Sequence, residues 1–568
     1  MTILGISCYY HDSAACIIKD DQTIAAAAEE RFSRKKHDNS FPQKAIEFCL
    51  DSLGIAANEL DAIVFYEKPF IKLERVFHQH LENFPKSYRQ FITKMGQWFS
   101  LRLDFRKTLE EKIHYFGKIY FIDHHLSHAA SSYYLSNFNE AVIVTLDGVG
   151  EWATTTVGLG KNNKIKIDKE IHFPHSLGLL YSTLTTYLGF SANDAEYKVM
   201  GMAAYGNPKY YRNHFKKIIK ILPDGSFVLD MDYFSFDWSE KQMFSSKLIE
   251  LFELPPRGKE SYVCKKHAHI AAALQEALEK IIFNLLNNVY KKYQINNLCL
   301  SGGVALNSVM NGKILNNTPF KNLFIPPDPS DAGGAMGAAL YLSNKFSDKK
   351  KNQYTGFKPY LGPEYKYYQI RKILDQNNLK YIFYTDREEL INKVSDFIID
   401  EKVIGWFQGK MEWGPRALGN RSILASARTK KMRDIINLRV KHREMFRPFA
   451  PVILKGKTKE YFDFNGNLPL STRWMLMVYP FKKIGYKNVP AVVHVDGSGR
   501  LETLVHEDNP LYYDLLQKYY QKTGIPIIIN TSFNVRGEPI ICNPQDAINC
   551  FLNTDIDYLV IDSFILKK

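Results

Sequence analysis

The chain has 568 residues, 74 basic and 60 acidic, for a net charge of +14, and 45% of its residues are hydrophobic. That length predicts about two to four domains with sizeable cores. Composition argues against three classes: no apolar run reaches about 18 residues, the opening MTILGISCYYHDSAACII lacks a basic leader, and seven cysteines without a CxxC spacing fit reduced thiols. A cytoplasmic enzyme without a membrane span is expected. The lysines are spread through helices and loops rather than gathered in one tail, so the charge favours anionic small substrates over nucleic acid.

In chain order, residues 3–30 read as strand, polar turn, strand, Asp-Asp turn and strand, followed by the loop EERFSRKKHDNSFP and a helix from about residue 42. An aromatic, Lys-rich stretch over 67–116 reads as a helical insertion or substrate-facing lid; its His78 and His80 have no carboxylate at ligand spacing. The stretch DHHLSHAASSYY puts His124 and His128 four residues apart, on one face of a helix. His125 stands where a zinc peptidase needs a glutamate, which weakens that reading. The strand AVIVTLD then ends in Asp147, and Gly148 and Gly150 follow in a turn suited to a phosphate. Two histidines with a carboxylate suit iron, zinc or manganese, with non-haem Fe(II) fitting best.

From residue 141 the strand-turn-strand plan of the N-terminus repeats. Two such units, each with an acid at its first turn, predict by analogy an actin/Hsp70-type two-lobed nucleotide fold. The Gly-rich third element is NLCLSGGVALNSVMNGKI, with Gly302 and Gly303 followed by a helix carrying Asn307 and Asn311 on one face. Asp331 precedes a small-residue helix, where a helix cap and a ligand are both open readings. Lys198 lies in the Gly-containing loop AEYKVMGMAAYG, and CKKHAH at 264–269 reads as a helix end rather than a metal site.

Composition shifts over 346–365, which is taken as a linker between a domain of residues 1–345 and one of 366–568. The second domain restarts as α/β and carries Arg416, Arg421, Lys441, Arg443 and Arg447 among Pro, Gly and aromatic residues. Such arginines suit bidentate phosphate or carboxylate recognition, against a competing reading of ion pairs with Glu412 and Glu444. Arg500, and Asn530 with Ser532 at the end of an apolar strand, extend the cluster.

Taken together and in order, HDSAA, EERFSRKKHD, DHHLSHAASSYY, DGVGE, KVMGMAAYG, SGGVALN, PSDAG, WFQGKMEWGPRALGNRSIL, VKHREMFRPFAP and NTSFNVRGEPI resemble the O-carbamoyltransferase family of nodulation protein U and the cephamycin and tobramycin carbamoyltransferases. The resemblance spans about residues 3 to 560. It implies an N-terminal domain of the actin/Hsp70-like (ASKHA) type and a C-terminal YrdC-like α/β domain. It implies ATP-dependent O-carbamoyl transfer: carbamoyl phosphate and ATP, with Mg(2+), give carbamoyl-adenylate, and a hydroxyl then takes the carbamoyl group.

Position by position, the resemblance makes His124, His128, Asp147 and Asp331 ligands of Fe(2+). It assigns Gly148, Gly150, Lys198, Gly302, Gly303, Asn307 and Asn311 to the nucleotide. Arg416, Arg421, Lys441, Arg443, Arg447, Arg500, Asn530 and Ser532 fall to carbamoyl phosphate. His11, with Asp12 beside it, becomes the candidate general base, and Arg34, Lys35 and Lys36 line the acceptor entrance. Where the family often has His-x-Asp, this chain has His269. A tRNA threonylcarbamoyl-adenosine-type enzyme, an actin-like nucleotide switch and a sugar kinase are the rival readings; the acceptor and the oligomeric state, a homodimer among the options, stay open.

Overall fold

The computed structural model describes residues 1–97, 104–239, 241–259, 261–347, 357–444 and 446–568. The chain folds as a mixed α/β protein in two compact units, Met1–Glu29 with His37–Thr355, and Glu30–Lys36 with Gly356–Lys568.

The first unit is built on a duplicated sheet. Strands β1 (Thr2–Ser7), β2 (Ala14–Lys19), β3 (Gln22–Ala28), β4 (Ala62–Phe65) and β5 (Ile119–Phe121) lie in the order β3-β2-β1-β4-β5. Strands β6 (Glu140–Leu146), β7 (Ala153–Lys161) and β8 (Lys164–His172), a separate hairpin of β9 (Ile219–Ile221) and β10 (Phe227–Leu229), then β11 (Asn297–Ser301) and β12 (Asn322–Phe324) follow. The second sheet has the order β12-β11-β6-β7-β8. In each sheet the first three strands are an antiparallel meander and the last two are parallel to the first. The repeated strand plan of the sequence is thus a repeated topology.

Burial explains the strand compositions. Central β6 is apolar on both faces and buried from Ala141 to Leu146, whereas edge strand β8, KIKIDKEIH, alternates exposed and half-buried residues. The Asp331–Phe346 helix packs on β1 and on the His124–Tyr133 helix through small residues. A Cβ on Gly5 would lie 2.0 Å from Ala335 O, and one on Gly337 would lie 1.9 Å from Ser127 O. Glycine there lets the two helices and the sheet close to a distance that brings their ends together.

Within 67–116, helices cover Pro69–Glu82, Tyr88–Gln97 and Phe105–Ile113; residues 98–103 lie outside the described residues. AEYKVMGMAAYG, read as a loop, forms a helix over Glu196–Ala203. The Lys265–Tyr293 helix begins after Cys264, whose amide bonds to His267 Nδ1, while His269 stacks on Tyr210. CKKHAH is therefore a helix start.

The second unit is one nine-stranded sheet: β13 (Ile382–Phe383), β14 (Ile404–Phe407), β15 (Arg421–Ser426), β16 (Ala450–Leu454), β17 (Met477–Pro480), β18 (Ser498–Leu504), β19 (Ile527–Ser532), β20 (Tyr558–Ile561) and β21 (Phe564–Lys567). Its order is β13-β21-β20-β14-β15-β19-β16-β18-β17. Helices Arg387–Ile399 and Pro510–Thr523 cover one face through Leu390, Val394, Leu515 and Tyr519 against Trp406, Val452 and Ile528.

Of the expected linker 346–365, residues 348–356 lie outside the described residues. The segment Glu30–Lys36 belongs to the second unit rather than to a domain spanning 1–345. Arg31 donates to Gly414 O, Arg34 donates to Ile540 O and Pro539 O, and Phe32 packs on Met411, Ala417, Ile540 and Cys542.

Candidate metal centre and anion site

The four candidate metal ligands are brought together by a strand end and two helix starts. Asp147 is the first residue beyond β6, and its amide donates to Thr154 O across the turn. Its carbonyl accepts from Ser176 Oγ, and its Oδ1 accepts from the Gly303 amide at 2.9 Å. Asp147 Oδ2 is then aimed at His124 Nε2, 3.1 Å away. The His124–Tyr133 helix has no side-chain cap from Asp123; the Glu151 carboxylate takes the His124 amide instead, at 3.0 and 3.1 Å, and also the Lys68 amide. Asp331 opens its helix with Ser330 as the preceding cap residue, so it is not itself the N-cap. Its Oδ1 lies 3.6 Å from both His124 Nε2 and His128 Nε2.

The two imidazole Nε2 atoms are 3.1 Å apart, and one donor atom from each of the four buried residues lies within 4.8 Å of the others. Among the described residues, His124 Nδ1, His128 Nδ1 and Asp331 Oδ2 have no hydrogen-bond partner. Separations of 3.1 to 4.0 Å among these donors are close to the edges of a coordination polyhedron with metal-ligand bonds of about 2.1 Å. Two imidazoles with two carboxylates suit a divalent first-row metal. Burial, the largest influence on His124, disfavours its cation, but Asp147, Asp331 and Glu151 outweigh it and raise the ring to about 9. Burial likewise opposes the Asp147 anion, yet His124 and His128 hold it well below the usual carboxylate range. His125 is outside the set: Thr145 Oγ1 lies 2.6 Å from its Nδ1 and Ala153 O 2.8 Å from its Nε2. Burial, then the neighbouring His124, pushes it down to about 3.

The hairpin turn after β1 carries a second cluster. Asp12 bridges two rings, Oδ2 to His11 Nδ1 at 2.8 Å and Oδ1 to His37 Nδ1 at 2.7 Å. His11 Nε2 faces Asn193 O at 2.6 Å, and His37 Nε2 faces Asp194 Oδ1 at 3.1 Å. Tyr9, His37 and Asn193 all adopt positive φ, a concentration of backbone strain around one carboxylate. With an oxygen acceptor at each nitrogen, His11 is held as an imidazolium. Burial works against that form, but the Asp12 bond and charge raise it to about 9, while the two rings hold Asp12 far below its usual range. A neutral base at His11 requires release of the Asn193 carbonyl.

Several expected nucleotide groups have other work. Gly303 donates its amide to Asp147, Gly302 to Pro329 O and Gly150 to Ala153 O, so these amides are not offered to a phosphate. Gly302, at φ 92°, is required where a Cβ would lie 2.2 Å from Leu146 O. Asn307 caps its helix through Met310 and exchanges two hydrogen bonds with Gln275. Asn311 is fully buried and donates to Ala305 O. Each asparagine thus holds a neighbouring stretch of backbone, and Asn307 also pairs with the Gln275 side chain. Lys198, on its helix, lies 5.4 Å over the Phe190 ring, and Gly148 lies beside Tyr10 Oη.

In the second unit the loop WGPRALGNR is closed by Glu412, whose Oε1 accepts from the amides of Leu418, Asn420 and Arg421 at 2.7, 2.7 and 3.0 Å. That use of Glu412 departs from the expected pairing with arginine. Arg421 is a correction: it is fully buried, lies 3.6 Å over the Phe407 ring, and directs its guanidinium to the carbonyls of Gln408, Gly409, Asn420, Pro363 and Cys542. All its donors serve backbone, so none remains for a phosphate. Arg34 is corrected for the same reason, its guanidinium being taken by Ile540 O, Pro539 O and, at 3.6 Å, Asp546; Lys35 is exposed and Lys36 half-buried.

Arg416, Arg443, Arg447 and Arg500 do converge. Burial and then the charges of Arg416, Arg443 and Arg447 push Arg500 well below its usual range, and its Nε has no hydrogen-bond partner among the described residues. Arg443 stacks over Phe449 with its Nε on Asn437, and Arg447 pairs with Glu444 at 3.6 Å. Lys441 clamps the turn after β19 through Ser532 and Asn534; burial, with Arg443 and Arg447, lowers its amine. Four crowded cations with a buried donor on Arg500 have the chemistry to receive an anion and are the candidate anion site.

Sequence reasoning passed over Glu151, His37, Asp194 and Glu502. His37 and Glu151 carried a signal, in the KHD that follows the basic loop and at the end of DGVGE; Glu502 lies two residues from Arg500 on β18 and so shares its face.

The chain is thus a mixed α/β protein with a buried His/Asp donor cluster in one unit and a cluster of arginines in the other. Residues 2–340 match the Carbamoyltransferase N-terminus family and residues 395–568 the Carbamoyltransferase C-terminus family. The chain is 43% identical to an uncharacterized protein of Synechocystis sp., covering 100% of this chain and 96% of that one. It is 34% identical to nodulation protein NolNO of Sinorhizobium fredii (99% and 79%) and 31% identical to nodulation protein U of the same species (51% and 49%). The protein belongs to the carbamoyltransferase family and is a carbamoyltransferase. No helix among the described residues is long and apolar enough to cross a membrane.

Proposed function

We propose that the protein is an ATP-dependent O-carbamoyltransferase that converts carbamoyl phosphate and ATP to carbamoyl-adenylate and transfers the carbamoyl group to a hydroxyl of a sugar-containing or secondary-metabolite acceptor. The observation that carries the reading is the pairing, in one family member, of the four-donor His/Asp cluster with the Arg416, Arg443, Arg447 and Arg500 anion site. In this reading the first unit is an ASKHA-type transfer domain, its duplicated sheets being the two lobes, and the second is the YrdC-like activation domain.

The second unit binds the phosphate of carbamoyl phosphate through the four arginines, with Lys441 holding Ser532 at the rim. ATP enters with Mg(2+). In the first unit His124, His128, Asp147 and Asp331 would hold Fe(2+) or another divalent metal, which when bound supplies Lewis-acid polarisation of a carbonyl. Asp12 orients His11, and once the Asn193 carbonyl swings away, His11 Nε2 takes the proton of the acceptor hydroxyl as the carbamate ester forms. Lys198 and Gly148 serve the nucleotide. Incubation with carbamoyl phosphate and ATP is expected to release inorganic phosphate and pyrophosphate as carbamoyl-adenylate forms, with AMP following when the carbamoyl group passes to an acceptor or to water; no carbamoyl-phosphate-dependent pyrophosphate would overturn the reading.

A further inference from the structure

The anion site contains one group of the wrong kind for an anion. Asn530, on β19, is 1% exposed, with β15 on one side (opposite Leu424) and β16 on the other (opposite Ala450). Its Nδ2 donates to Ala417 O at 3.1 Å and to Glu502 Oε2 at 2.7 Å. Ala417 O can only accept, so the amide nitrogen must lie on that side and the amide oxygen on the other. Asn530 Oδ1 is buried and has no hydrogen-bond partner among the described residues.

The surroundings tell what Oδ1 awaits. Arg500 precedes Glu502 by two residues on β18, so both project from one face, and Arg500 Nε is likewise buried and unanswered. Ala417 follows Arg416, and Ser532, two residues beyond Asn530, continues the same face of β19 toward Lys441. A ligand of oxygen atoms alone answers the guanidinium but leaves Oδ1 unsatisfied, a loss of about 1–3 kcal/mol for a buried acceptor. A ligand with an N–H beside its phosphate answers both.

We propose that Glu502 is a positioning residue that fixes the Asn530 amide, so that Asn530 Oδ1 accepts from the NH2 of carbamoyl phosphate and discriminates against acyl phosphates that lack it. The proposal rests on the carbamoyl-phosphate reading above. Burial, with Glu412 adding to it, pushes the Glu502 acid well up, against the pull of Asn530 and Arg500. A neutral acid still presents a carbonyl oxygen to Asn530, and glutamine at this position does the same.

The test is direct binding to the full-length protein of carbamoyl phosphate, acetyl phosphate (CH3 in place of NH2) and inorganic phosphate. Wild type is expected to prefer carbamoyl phosphate over acetyl phosphate by about 10- to 100-fold. Glu502→Leu and, independently, Asn530→Ala are expected to bring that ratio to about 1 while inorganic phosphate binds within about 2-fold of wild type; Glu502→Gln keeps the preference. Retention of the preference in a folded Glu502→Leu or Asn530→Ala protein overturns the proposal, as does equal weakening of all three ligands, which would make Glu502 a support for the arginines. A wild type that binds inorganic phosphate with no preference overturns the proposal and leaves the anion site standing. Failure to bind any of the three overturns the carbamoyl-phosphate reading together with it.

Discussion

His124 Nε2 and His128 Nε2 face each other at 3.1 Å inside the protein, with Asp147 and Asp331 carboxylates closing the space around them. Two ring nitrogens at that distance share at most one proton, and the outer Nδ1 atoms find no partner. His124→Ala is therefore expected to lower bound divalent metal, measured by elemental analysis, to background with the circular dichroism spectrum retained, because Glu151 still caps the helix through its backbone amide. Full metal content in the variant would remove His124 from the ligand set.

The glycines around Asp147 differ in what they tolerate. Gly302→Ala places a methyl 2.2 Å from Leu146 O at a positive φ, which displaces the Gly303 amide from Asp147. It is expected to lower thermal stability and metal content together. In Gly148→Ala the new methyl meets nothing nearer than Tyr10 Oη at 3.5 Å, so both quantities should stay near wild type. Equal damage from the two would contradict this account of the turn.

Arg416 and Arg421 are five positions apart and have opposite uses. Arg421→Ala strands five carbonyl acceptors and is expected to cost about 3 kcal/mol or more, lowering the melting temperature by about 6–12 °C. Arg416→Ala should melt within about 2 °C of wild type and lose affinity for inorganic phosphate. Calorimetry with phosphate titration separates them; a stable Arg421→Ala protein that merely binds phosphate less well would reverse the assignment.

The His11–Asp12 pair gives a pH dependence with a fixed sign. A ring raised from 6.5 to about 9 contributes stability that is fully present below pH 6.5 and disappears as pH rises toward about 9. Asp12, held far below its ordinary value of 3.8, contributes above that pH and loses its contribution as pH falls through its lowered value. The stability difference between wild type and His11→Gln should be largest between about pH 4 and 6.5 and shrink by pH 9. A difference that grows with rising pH would show that His11 is neutral in the folded protein.

Much of this was legible in the residues, and the reasons for success and failure are physical. The two strand-turn-strand units announced the duplicated sheet, because hairpins keep their pattern in local sequence. The four-residue spacing of His124 and His128 projects on a helix whatever it packs against. That Asp331, nearly two hundred residues away, joins the cluster was expected from family resemblance alone, since nothing local distinguishes such an aspartate from a helix cap. What could not be read was consumption: Arg421, Asn307, Gly303 and Arg34 look like ligand-binding residues until their donors are seen to be taken by backbone, by the Gln275 side chain or by Asp147. Nor does a basic loop declare that it belongs to the other compact unit, as Glu30–Lys36 does.

The central claim is that carbamoyl phosphate is activated with ATP before any acceptor is involved. The most direct test is exchange of labelled pyrophosphate into ATP by the full-length protein, with and without carbamoyl phosphate and with no acceptor present. Exchange that appears only with carbamoyl phosphate and vanishes in Arg500→Ala is the predicted result. Exchange independent of carbamoyl phosphate, or none under any condition, would contradict it.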